Sequence, residues 1–248
     1  MPEINPTGYA KSLSQGDYDK LPLIRELYDV IDDAGVPVPI KLAHHQRSVP
    51  TSDMSIPDGV ILISAIGFDD LDEAETLFQS ALSKQLDGLE LYDFIVDNYQ
   101  NMYEESLIGR IAFNILPGPV SVPELVEVPR ICGAYIQREY RQLRVSPRGY
   151  QMLGNHFGVV QSDQEQTVYG ARLWLSSLPR LGSVVAVDLN EANVLENILH
   201  SNPPTGEFWD GKVLIGTSHE AELDKMAGVP ISRSESKRHV VLEFVPSC

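Results

Sequence analysis

The sequence predicts an α+β protein, a mixed sheet packed with helices and ending in a C-terminal β-α-β-α-β unit from Ser183 onward. Three observations predict it. Residues 60–66 form a continuous apolar run entered through Asp58-Gly59, the pattern of a buried strand. Leu71, Ala74, Leu77, Phe78, Ala81 and Leu82 then recur at helical spacing. From Ser183 onward, short apolar runs alternate with helical stripes, as in units that cover one side of a sheet. The same pieces also fit an α/β alternative, a Rossmann-like three-layer fold.

Taken in order, residues 9–20 are polar and irregular. Leu23, Leu27, Val30 and Ile31 sit at helical spacing after Pro22, which a first helical turn tolerates. Gly35 ends that helix, and Pro37 and Pro39 make residues 36–42 an edge strand or a linker. A polar loop over 43–58 leads into the strand at 60–66. Asp69 or Asp70 caps the next helix, and Gly88 stops it. Leu91, Phe94, Ile95 and Met102 mark a further helix to about Tyr103. Residues 111–116 read as a strand, followed by a stiff Pro117-Gly118-Pro119 connection reaching Pro123. A helix fits 130–144, with Cys132, Ile136, Tyr140 and Leu143 on one side and Pro147 barring its extension. Residues 168–176 alternate like a strand. Strand 183–188, a helix capped by Asn190, strand 212–215, helix 219–226 and strand 239–245 complete the chain.

The charge is uneven. Of 248 residues, 35 are acidic and 19 basic, a net of −16. Residues 1–105 hold 20 acidic and 6 basic residues, and residues 106–248 hold 15 and 13. This divides the chain into an acidic, helix-rich part with one buried strand (1–105) and a near-neutral mixed α/β part (106–248). The division is compatible with one compact domain. So acidic a chain is a poor binder of nucleic-acid backbone. Two cysteines, Cys132 and Cys248, make no disulfide framework. The first residues lack the basic and apolar regions of a signal peptide, and no apolar stretch is long enough to cross a membrane. A cytoplasmic setting is expected, or a virion if the chain is part of a particle.

No catalytic spacing stands out. Asp188 ends an apolar strand, where a nucleotide-binding sheet places a ribose-binding carboxylate, and it is the one weak cofactor candidate. Gly154, Gly158, Gly170 and Gly182 do not fall at the spacing such a site needs, so Asp188 reads as a turn or cap residue and no cofactor is expected. Of six histidines, His45, His156 and His219 are weak candidates for acid–base chemistry with a carboxylate. Adjacent His44 and His45 point to opposite faces of an extended chain, and no metal-ligand spacing occurs, so no metal centre is expected. Arg138, Arg141, Arg144 and Arg148 would share one side of a helix, forming either a solvated face paired with the acidic part or a surface that docks an anionic partner.

These features point first to a non-enzymatic structural or assembly subunit of a larger complex, a virus or phage particle included, with protein partners and self-association. The alternatives are an intracellular enzyme using histidine–carboxylate chemistry and an acidic binding or immunity-type protein that neutralises a basic partner.

Overall fold

The computed structural model describes residues 3–4, 18–33, 36–53, 56–68, 76, 79–80, 83–84, 86, 88–98, 103–163, 165–166, 168–202, 204–210, 212, 215, 228–235 and 239–247. Among these, nine strands form one mostly antiparallel sheet, and with its helices the fold is α+β. The strands are β2 (Leu23–Asp33), β3 (Val36–Gln46), β4 (Gly59–Phe68), β5 (Tyr103–Pro117), β6 (Glu127–Ile136), β7 (Val160–Gln161), β9 (Gly182–Asp188), β10 (Asn193–Ile198) and β13 (Val240–Pro246). Their order across the sheet is β10-β9-β13-β7-β6-β5-β4-β3-β2. Four two-residue strands, β1 (Glu3–Ile4), β8 (Glu165–Gln166), β11 (Trp209–Asp210) and β12 (Ile231–Ser232), make a small parallel patch.

Strands β2 to β6 form a meander, each antiparallel to the next. Among the described residues, the one parallel contact in the large sheet is β6 with β7. A parallel pair requires a crossover, supplied here by a 3₁₀ segment (Arg138–Leu143) and helix α2 (Val145–Phe157). Helix α1 (Gly88–Asn98) lies in the long β4–β5 connection. Helix α3 (Val168–Arg172) runs on into a π-helical turn (Leu173–Ser177) and a 3₁₀ turn (Leu178–Arg180).

Alternation along the strands separates two faces. Leu42, Ile61, Ile63, Ile111, Val184 and Phe244 join Val145, Met152 and Leu153 of α2 and Trp174 in the main core. Fully burying one such side chain contributes about 1.5–3 kcal/mol. On the opposite face, Ile66 packs with Leu91 and Ile95 of α1, and Val185, Val187 and Val241 pack with Val120. The division expected between residues 105 and 106 falls within β5, and the Pro117–Pro123 connection joins two neighbouring strands of the same sheet.

Several expected elements change type. The helix expected over 23–31 is strand β2. Ile31 is buried in the main core while Val30 packs under α1, so adjacent apolar residues are buried on two covered faces and not along one stripe. Pro37 and Pro39 lie in β3, which has a strand on each side, but its pairing with β4 begins only at Ile40. The missing N–H groups fall where β3 is bonded on one side. The polar loop begins only after Gln46.

The helix expected over 130–144 is strand β6 followed by the 3₁₀ segment. A bulge causes the misreading: Ala112 pairs with Gly133 and Phe113 with Ile131, so Cys132 is the extra residue and the two-residue period slips. Pro147 does not end a helix; it lies in the first turn of α2. Residues 168–176 are helical and not extended, and Ala171, Trp174 and Leu178 are buried at helical spacing. The helix expected after Asn190 is strand β10, so the C-terminal unit opens with a β9–β10 hairpin. Lys212 and Ile215 are described but not extended, and the strand nearest them is β11. The helix expected over 219–226 lies outside the described residues. That expected over 69–86 does so in large part, although Thr76, Gln79, Ser80, Ser83 and Lys84 are helical.

Candidate functional site

The four candidate arginines do not share a helix face. Arg138 is exposed on the 3₁₀ segment, and Arg141 there donates from Nε to the Ile136 carbonyl at 2.9 Å. Arg144 adopts a left-handed conformation, φ 56°, which ends the 3₁₀ segment and starts α2. Arg148 reaches from α2 to the outermost strand, donating from Nη1 to Asp29 Oδ2 and from Nη2 to the Val30 carbonyl at 3.3 Å. Burial pushes its guanidinium below the ordinary arginine value. Asp29 Oδ1 accepts the Val30 N–H at 2.7 Å, so the outer backbone groups of Val30 are covered.

Two of these arginines enter a cleft instead. Arg144, Pro147, Arg148 and Gln151 follow the i, i+3, i+4, i+7 stripe of α2 and form one wall. Ser176 and Ser177 of the π turn, with Arg180 and Leu181 just beyond, form the other wall of a cleft of about 360 Å³. No side chain caps the N-terminus of α2, and Pro147 in its first turn has no N–H to offer. Arg180, Gln151, Ser176 and Ser177 were missed from sequence because Leu178-Pro179-Arg180 reads only as a turn.

The structure brings His44, and not the candidate His45, to His156. Their rings are 5.1 Å apart edge to face, and Phe113 and Phe157 complete the cluster. His44 is fully buried; its Nε2 donates to Gln46 Oε1 at 3.1 Å and its Nδ1 has no partner. Burial, then the neighbouring His156, push its pKa down to about 4. Burial and Arg25 lower that of the exposed His156. His45 faces the other way and holds the Leu21 carbonyl at 2.9 Å. His219 lies outside the described residues.

Asp188 closes the β9–β10 turn, its Oδ1 accepting the N–H groups of Asn190 (2.8 Å) and Glu191 (3.1 Å), and its Oδ2 lies 3.4 Å from His239 Nε2. These bonds are those of a turn residue. A fully buried carboxylate was not anticipated. Glu243 of β13 accepts the N–H groups of Val120 and Ser121 and the amide of Gln161, which in turn accepts from Arg130 at 2.7 Å. Its chemistry is that of a staple holding the β5–β6 connection to the sheet. In the acidic part, Glu90, Asp93 and Asp97 of α1 are exposed, and most of residues 69–87 lie outside the described residues.

No group of three or more potential metal ligands occurs among the described residues, and no described helix is long and apolar enough to cross a membrane. No family model, curated protein or solved structure matches the chain.

Proposed function

We propose that the protein is a non-enzymatic assembly subunit that joins a second copy through strand β2. The observation that carries this reading is the condition of that strand. It is eleven residues long, has among the described residues a neighbouring strand on one side only, and leaves Leu23, Ile24 and Leu27 exposed at 51, 45 and 37%. Long edge strands with apolar side chains are templates for pairing, and proteins that stay monomeric shield them. Among the described residues, Asp29 and Arg148 cover Val30 and a register shift interrupts the strand at Ile24, while Leu27 between them is left open.

Charge favours a like partner. β2 carries four acidic residues and one basic residue, and the 3₁₀ segment with Arg138 and Arg141 packs beside it. A two-fold axis sets the acidic strand of one copy against the basic turn of the other, as a self-complementary interface requires. Light scattering tests this. The wild type is expected above its single-chain mass of 27.5 kDa and to dissociate as salt rises, because exposed pairs are screened within about 8 Å at physiological ionic strength. Leu27→Lys and Arg138→Glu should each return the mass to one chain with little change in melting temperature, since exposed substitutions shift stability by about 0.5 kcal/mol or less. A wild-type chain of single mass, or association untouched by Leu27→Lys, contradicts the reading.

A further inference from the structure

We propose that the cleft between α2 and the turn after α3 binds a small phosphorylated ligand. Three arginines, Arg144, Arg148 and Arg180, line it in a chain whose net charge is −16. Asp29 balances one of them through Arg148. Arg144 and Arg180 are exposed, and neither has an acidic partner among the described residues. Like charges gathered in one concavity repel each other, and an anion placed between them relieves the repulsion.

Two further features point the same way. Arg144 is a non-glycine residue held at φ 56°, and backbone strain of that kind gathers at ligand sites. The start of the 13-residue helix α2, which no side chain caps, adds the positive end of a helix dipole.

The chemistry of the walls sets the ligand class. Guanidinium forks match phosphate oxygens two at a time, and the two that Asp29 does not hold, on Arg144 and Arg180, suit a doubly charged phosphate better than a lone carboxylate. The volume of about 360 Å³ is near the low end for small-molecule sites. It holds one compact molecule and not a polymer backbone. Pro147 and Leu181 offer an apolar surface to the carbon part of that molecule. This inference stands apart from the edge-strand reading, because Arg144 and Arg180 take no part in β2.

The test is calorimetric titration of the full chain with inorganic pyrophosphate, at low and physiological salt, with citrate as the carboxylate control. Saturable pyrophosphate binding at one site is expected. Arg144→Gln and Arg180→Gln should each weaken it about tenfold, the scale of a lost charge-assisted hydrogen bond, while Arg138→Gln, outside the cleft, leaves it unchanged. Melting curves establish that each variant is folded. The proposal is overturned by no saturable binding to the wild type, by equal loss in Arg138→Gln, by citrate binding as tightly as pyrophosphate, or by binding of a single-stranded oligonucleotide where pyrophosphate fails.

Discussion

A neutral imidazole is the stable form of His44, because its ring lies among Phe113, Phe157 and His156 with Nδ1 unpartnered. The unfolded chain protonates this residue near 6.5, and the folded chain near about 4. Between those values the unfolded state binds more protons, so His44 lowers stability as pH falls through the window and has no such effect above it. Urea melts at pH 7 and pH 4.5 should show a smaller loss of midpoint in His44→Gln than in the wild type. Equal losses would remove His44 as the cause. Strand alternation sets His44 and His45 on opposite faces if the chain is extended, but the residue pattern over 43–58 reads as a polar loop. Which of them is buried depends on which face α2 covers. That is set by contacts more than 100 residues apart, such as Arg148 with Asp29 (separation 119).

At the scale of elements, α2 is seated by a glycine. A Cβ at Gly149 would collide with Ile111 Cδ1 and touch Ile63 Cδ1 at 3.8 Å, so helix and sheet meet there without a side chain between them. In an exposed helix Gly→Ala stabilises by about 1 kcal/mol, but overpacking a core costs about 1–3 kcal/mol. Gly149→Ala should therefore lower the denaturation midpoint. A raised midpoint would mean that α2 is not packed this closely. Gly158, at φ +86°, closes the same helix by donating its N–H to the Gly154 carbonyl at 2.7 Å, a left-handed cap that glycine adopts without strain.

The legible elements were those whose local pattern agrees with their surroundings. β4, β9, β13 and α1 carry apolar runs or stripes that need no distant partner to interpret. β2, β6 and β10 were read as helices for three separate physical reasons. β2 is buried on two faces at its end, and β6 contains a bulge. β10 leaves Val194 and Leu195 exposed on an outer strand, so its apolar residues do not mark a core. The cleft was half visible. Arg144 and Arg148 came from the sequence cluster, while Arg180 arrives through the π turn, which no spacing rule announces.

Over the whole molecule, the uneven charge seen in sequence maps onto the sheet. The acidic part contributes β2, β3 and β4, the end of the sheet that finishes in an open edge, and the near-neutral part contributes the other end with β13, β9 and β10. Partner contact through β2 would make this end the growing face, with the shorter, six-residue β10 at the other. Hydrogen exchange along residues 23–33 as a function of protein concentration tests this most directly. Pairing of β2 with a second copy predicts that its outward amides are protected at high concentration and exchange freely on dilution, while those bonded to β3 stay protected throughout. Exchange of the outward amides that is fast and independent of concentration would contradict the account.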